Sequence, residues 1–156
     1  MSIEIIPYQD EYKEEFQQIN YEWLNKYNLL EDYDVRILSD PQNTILKNNG
    51  YIYLAQDTQT KQIIGTIGLI RHDSTTCELT KMCVKPGYQK QGIARRLIER
   101  CLKQIREQHP EIKKIYLCSN SLLKAAIHLY EHYGFKHVQN EPRHFATADI
   151  YMELQL

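Results

Sequence analysis

With 156 residues, 42% hydrophobic and 25% charged, the chain has the size and make-up of one globular domain over 1–156, too polar for a membrane protein and too apolar for a disordered one. Nineteen basic against 20 acidic residues leave a net charge of −1, so no overall basic field exists to condense on phosphate backbones, which argues against nucleic acid as the main partner. The longest strongly apolar stretch, Ile63 to Ile70, is broken by Gly65, Thr66 and Gly68, far short of the ~20 residues of a spanning helix, and the acidic opening lacks the features of a secretory leader, so no membrane partner and a cytoplasmic location are expected.

Ser2 to Ile6 alternates weakly and predicts a strand ended by Pro7, and Phe16, Ile19, Trp23, Leu24 and Tyr27 then recur at helical spacing. Asn28 to Asn49, with Pro41 and clusters of Asn and Asp, predicts one or two short helices joined by turns. Tyr51 to Gln56 and Gln62 to Arg71 are β-rich runs joined by a polar connector of hairpin length, and a third run spans Thr76 to Val84. Short connections make these three antiparallel neighbours, since parallel pairing needs a longer crossover. From Ile93, the residues Leu97, Ile98, Cys101, Leu102 and Ile105 form one helical stripe that stops near His109-Pro110. Lys114 to Cys118 predicts a strand, Leu122 to Tyr133 a helix stopped by Gly134, and Ala148 to Leu156 a strand with Ile150, Met152 and Leu154 on a buried face and Asp149, Tyr151 and Glu153 on a polar one. The fold class is α+β, a single mixed sheet with helices.

Cys77, Cys83, Cys101 and Cys118 each sit in a hydrophobic run at spacings unlike a metal or redox motif, which predicts packed, reduced thiols. His128 and His132 have the i, i+4 spacing of paired zinc ligands, but no third ligand completes a motif, so a solvated helix face is the better reading and no metal is assigned.

Glu78 to Ala94 carries the chemistry: a strand, a turn at Pro86-Gly87, and a Gln- and Gly-containing loop that opens into the helix at Ile93. A helix start after such a loop aims unpaired N–H groups and the positive end of the helix dipole at one spot, which suits a phosphate or serves as a plain helix start. Gly92 allows close approach and Ala94 is the next smallest choice. Neither the Walker pattern nor the Rossmann glycine fingerprint is present.

Gln89-Lys-Gln-Gly-Ile-Ala94 resembles the Gln/Arg-x-x-Gly-x-Gly/Ala pyrophosphate loop of the GNAT superfamily of acetyl-CoA-dependent N-acetyltransferases, and Glu78-Leu-x-x-Met-x-Val-x-Pro86 resembles that family's central strand. Asn120 to Phe135 is similar to its strand-helix unit, with Asn after the strand and a closing Tyr-x-x-x-Gly-Phe. The resemblance covers most of Ile63 to Val138, with Ala94 where many members have a second glycine. It implies the GNAT fold, a central mixed, mostly antiparallel twisted sheet flanked by helices, with acetyl-CoA as cofactor and a small-molecule amine or peptide as acceptor. It also accounts for an irregularity: Leu79, Met82 and Val84 cannot share a face at strict period two, so a β-bulge between Leu79 and Met82 is expected, where the strand splays to admit pantetheine.

By the same resemblance, Met82, Cys83, Val84, Gln89, Lys90, Gln91, Gly92, Ile93, Ala94, Arg95 and Asn120 form the cofactor site, with Met82 and Val84 pairing with pantetheine and Asn120 serving also as a helix N-cap. Glu78 matches a general base that acts through water, or else is a strand-end carboxylate paired with Lys81 or Arg71. Tyr130 matches the acid that protonates the departing sulfur, or else is a core tyrosine on the helix's apolar stripe. Acceptor candidates are Glu22, Trp23, Glu31, Asp32, Asp34, Arg71, His72, Arg143, His144, Phe145 and Asp149; acids suit a polyamine and arginines suit an amino-acid carboxylate. The rivals are a covalent cysteine enzyme, for which no Cys-His pairing is visible, and an acyl-CoA-binding sensor without turnover. The last strand either pairs across a homodimer, the state favoured here, or finishes the sheet.

Overall fold

The computed structural model describes residues 2–139 and 145–156. In chain order the elements are β1 (Ile3–Pro7), α1 (Lys13–Lys26), α2 (Asp32–Ser39), α3 (Pro41–Thr44), β2 (Tyr51–Asp57), β3 (Ile63–Arg71), β4 (Thr76–Val84), α4 (Ile93–Gln108), β5 (Lys114–Ser119), α5 (Lys124–His132), β6 (Lys136–His137) and β7 (Ile150–Gln155). The strands form one sheet in the order β1-β2-β3-β4-β5-β7-β6, antiparallel at every pairing except the parallel β4–β5. That exception follows from α4, which carries the chain across one face so that β5 returns in the direction of β4.

Both faces of the sheet are covered, so β2 and β3 are buried almost throughout. On one face the stripe Ile93, Leu97, Ile98, Cys101, Leu102 and Ile105 of α4 packs with Tyr53, Ala55, Leu69 and Leu79, together with Tyr130 of α5 and Phe135. On the other, Phe16 of α1 and Ile37 and Leu38 of α2 pack with Ile52, Leu54, Ile63 and Ile70. The alternation of β2 thus feeds both cores, with Ile52 and Leu54 on one side and Tyr53 and Ala55 on the other.

The hydrophobic pattern of the last strand needs one correction. Tyr151, expected on a polar face, is buried, and its hydroxyl donates to the Ala148 carbonyl at 2.9 Å. β7 lies inside the sheet, paired with β5 along its length and with β6 of the same chain, and β6 is the edge strand. The two-residue β6 carried no pattern of its own and was not expected.

Candidate active site

The site begins with a fault in the sheet. β4 and β5 pair only at Thr76–Glu78 with Lys114–Tyr116, after which β5 continues against β7. Opposite β3 the register of β4 slips: Gly68 faces Thr80 and Thr66 faces Cys83, so Ile67 opposes both Lys81 and Met82. This bulge falls within the interval expected from the Leu79, Met82 and Val84 pattern, and it lets all three pack toward the α4 core. Lys81 takes a left-handed backbone at φ 55, which increases local twist and helps part the strands. The bulge is held from below: the buried Thr66 hydroxyl donates to the Lys81 carbonyl at 2.7 Å, and Asn20 Nδ2 donates to Thr66 Oγ1 at 3.1 Å.

Beyond β4, the loop is shaped by left-handed residues at Gly87, Lys90 and Gly92. Gln89 Nε2 donates back to the Val84 carbonyl at 3.0 Å, which ties the loop to the strand end. Arg96 N bonds the Gly92 carbonyl at 3.1 Å, the first turn of α4; the amides of Ile93, Ala94 and Arg95 precede it and have no helical carbonyl to reach. A Cβ built on Gly92 would have no heavy atom within 4 Å, so the amides open onto free space.

That space belongs to a cleft of about 550 Å³ between the end of β4, the loop and α5. Met82, Cys83, Val84, Gln89, Lys90, Gly92, Ile93, Ala94 and Arg95, all named as cofactor candidates, line it. Lys124, His128 and His132 of α5, Trp23 of α1 and Tyr27 just after it are also part of the wall. The lining has three permanent cations and no acid, which fits a phosphate-rich ligand such as a coenzyme A thioester. Gln91 is not part of the lining; its side chain donates to the Gly87 carbonyl at 3.3 Å. His128 is exposed, and among the described residues no group of three metal-ligating side chains comes together.

A second cavity, of about 100 Å³, adjoins the first, and Trp23, Met82, Leu123 and Tyr130 line both. Its other walls include Asn20, Leu24, Leu29, Asp34, Lys81, Cys118, Asn120, Phe145 and Thr147. Asn120 therefore lies on the wall of this cavity. Its Nδ2 donates to the Thr147 carbonyl at 2.8 Å and its Oδ1 accepts from Leu122 N at 2.9 Å, a local turn ahead of α5 rather than a cap on it. Glu31 holds the same 146–147 segment by accepting from Ala146 N, Thr147 N and the Thr147 hydroxyl. Burial alone would raise its carboxyl, but these bonds hold it below the ordinary carboxylate range.

Lys81 and Asp34 form a buried ion pair, and Lys81 Nζ also lies 5.1 Å from the centre of the Phe145 ring. Of the other acceptor candidates, Trp23 and Phe145 line the cavity, Glu22 accepts from Gln18, Asp149 caps Ser121, and Arg71 pairs with Glu111 at 2.9 Å. Arg143 and His144 lie outside the described residues.

Tyr130 stands where the two cavities meet. Its hydroxyl is pushed well above the ordinary phenol value by burial, so it is a neutral O–H donor at physiological pH. Glu78 is placed differently. It is fully buried and lines neither cavity, with Oε1 2.9 Å from His72 Nε2 and 3.5 Å from the Tyr116 hydroxyl. It does not pair with Lys81 or Arg71, because the bulge turns Lys81 toward Asp34 and Arg71 reaches Glu111. Tyr33, raised to about 12 by burial and then by the Glu78 charge, packs edge-on against Phe145 and so connects Glu78 with the cavity wall.

Residues 48–137 match the family described as the acetyltransferase (GNAT) domain. A segment of 74 residues, 47% of the chain, is 39% identical to an uncharacterized N-acetyltransferase, YjgM, of Escherichia coli K12, and covers 43% of that relative, less than half its length. Over 99% of both chains the fold superposes with a TM-score of 0.89 on a GNAT-family acetyltransferase from Staphylococcus aureus Mu50, at 27% identity. At 19% identity and a TM-score of 0.74 it superposes over 100% of each chain on a PaiA N-acetyltransferase from Thermoplasma acidophilum in complex with coenzyme A. A spermidine N-acetyltransferase from Vibrio cholerae, in complex with CoA and spermine, gives 22% identity and 0.74 over 98% of this chain and 95% of that one. The splayed, bulged strand, the amide-bearing loop after it and the matched span over most of both together place this chain in the GNAT acetyltransferase superfamily.

Proposed function

We propose that the protein transfers an acetyl group from acetyl-CoA to a primary amine by direct attack in a ternary complex. The observation that carries this reading is the junction of the two cavities at Met82 and Tyr130, one cationic and fit for a nucleotide thioester, the other smaller and lined by a buried ion pair. Acetyl-CoA would supply an activated thioester carbonyl. The amides at the start of α4, with Lys90 and Arg95, hold its pyrophosphate, and the open edge of β4 from Met82 to Val84 pairs with pantetheine. The backbone N–H at or beside Met82 polarises the thioester oxygen.

An amine with a pKa of about 10.4 is almost wholly protonated at neutral pH and must lose a proton before attack. In this reading Glu78 accepts that proton through intervening water, because its carboxylate lies behind the wall and not on it. Tyr130 donates its O–H to the sulfur as the thiolate leaves. Its raised pKa makes it a weaker acid than a thiol near 8.5, so its contribution is that of a hydrogen bond to developing charge, about 10- to 100-fold in rate.

A covalent cysteine route finds no support at three of the thiols: burial pushes Cys77 to about 11, Cys83 to about 12 and Cys101 higher still. The test is release of free CoA from acetyl-CoA over a panel of amino acids, polyamines and lysine peptides, with mass detection of the acetylated product. Acetyl-CoA-dependent product is expected. Tight acetyl-CoA binding with no product from any acceptor would favour the sensor instead.

A further inference from the structure

The charge of the smaller cavity speaks to the acceptor. Among its described lining residues are one acid, Asp34, and one base, Lys81, already paired with each other. The neighbouring acids are occupied elsewhere: Glu31 holds the 146–147 backbone and Asp149 holds Ser121. A polyamine entering here would meet no net negative charge. The rest of the wall is mixed, with apolar Trp23, Leu24, Leu29 and Phe145 beside polar Asn20, Asn120 and Thr147.

Lys81 stands out on two physical grounds. A buried ion pair seldom repays the desolvation of its members, and apolar residues of the same volume are usually as stabilising, so fold stability does not account for it. Lys81 also occupies a left-handed backbone, φ 55, where glycine is the easier choice, so it is the side chain that the position supplies. An ammonium has three N–H donors and Asp34 takes one. The ammonium lies beside Phe145 on the wall of the smaller cavity, where its remaining donors have no acceptor among the described residues.

Resting on the acetyl-transfer reading, we infer that the acceptor is a small amine that also bears a carboxylate, an amino acid with an apolar side chain, and that Lys81 binds the carboxylate. Once its amine is neutral, such an acceptor carries one negative charge, which complements a lysine whose own counter-ion, Asp34, is fixed by the Glu31 amide at 2.9 Å. Trp23, Leu24, Leu29 and Phe145 of the wall take the side chain. Lys81 is here a specificity residue on the wall of the smaller cavity.

The experiment compares matched pairs, L-leucine with isoamylamine and L-phenylalanine with phenethylamine, together with spermidine, under saturating acetyl-CoA. Transfer is followed by CoA release, and where turnover is absent, binding to the CoA-saturated protein is followed by calorimetry. The carboxylated member should be preferred by about 10-fold or more, the worth of a charge-assisted hydrogen bond. In Asp34→Asn/Lys81→Met, which leaves no unpaired buried charge, that ratio should collapse toward one while the KM for acetyl-CoA holds. Asp34→Asn/Lys81→Gln serves if the first variant does not fold. Equal or better use of isoamylamine, phenethylamine or spermidine by a protein that acetyl-CoA stabilises overturns the inference and leaves the transferase reading standing. An unchanged ratio in a folded double variant overturns the assignment to Lys81. Failure of acetyl-CoA to bind at all removes the transferase reading, and this inference with it.

Discussion

Replacing Gly92 with alanine separates the two things this residue does. Its backbone is left-handed, φ 78 and ψ 12, and an added Cβ has no heavy atom within 4 Å. The substitution therefore meets no clash, and its effect on the fold is the left-handed strain of an L-residue, about 1–2 kcal/mol. For a chain of this size each kcal/mol lowers Tm by about 2–4 °C, so a fall of roughly 2–8 °C is expected. The open space that spares the fold is, in this account, where the pyrophosphate lies. A methyl group there displaces it from at least one charge-assisted bond to the amides of α4, about 1.5–3 kcal/mol, equivalent to roughly 10- to 150-fold in Kd. Gly87→Ala is the control: φ is 92, the space is equally open, and the residue does not line the cleft. Thermal unfolding and calorimetric titration with CoA measure both quantities. Similar Tm losses with CoA affinity weakened only by Gly92→Ala support the cradle. A Gly92→Ala protein that loses stability but binds CoA as tightly as the Gly87→Ala protein refutes it.

Tyr130→Phe keeps the ring packed at 5.9 Å from Phe135 and removes the donor between the cavities. kcat should fall about 10- to 100-fold with acetyl-CoA affinity little changed in calorimetry, and an unchanged kcat would remove Tyr130 from the mechanism. Leu97→Ala empties a fully buried position where α4 meets the sheet, and urea unfolding should show a loss of about 2–5 kcal/mol; a loss below about 1 kcal/mol would mean the site collapses freely. Glu111 is depressed from 4.5 to about 2, first by its own backbone N–H and then by Arg71. A depressed folded pKa contributes stability that is complete above 4.5 and is lost as pH falls toward 2, so Glu111→Gln should flatten the acid limb of stability in that window. Identical limbs in urea titrations from pH 5 to 2 would contradict it.

The parts of this molecule legible in the sequence are those governed by local period. The α4 stripe, the three-strand meander and the loop before Ile93 appear where the spacing put them, and the irregular run Leu79, Met82, Val84 located the bulge to within a residue or two. What local period cannot carry is the direction a side chain takes once the backbone leaves the regular conformation. Lys81 looked like a strand residue within reach of Glu78; its positive φ sends it instead to Asp34, 47 positions earlier. The same holds for Glu78, whose partners His72 and Tyr116 come from the hairpin end and from a strand beyond a helix. His128 and His132 read as an exposed helix face, and Lys124 was not singled out. Only the placement of α5 beside the β4 loop makes that face a wall of the larger cleft, though basic residues at 124, 128 and 132, each four apart on one helix, were a signal available for it.

The central claim is that the space between the end of β4, the loop from Gln89 to Ala94 and α5 holds an acyl-CoA. Thermal unfolding with and without saturating acetyl-CoA, against ATP and NADPH at matched concentration, tests it most directly. A ligand at about 100 times its Kd adds about 2.7 kcal/mol, which should raise Tm by roughly 5 to 10 °C. A rise of that size specific to acetyl-CoA is the result predicted; no rise, or a larger one with ATP or NADPH, would contradict the account and leave Tyr130 and Lys81 without the substrate on which their roles depend.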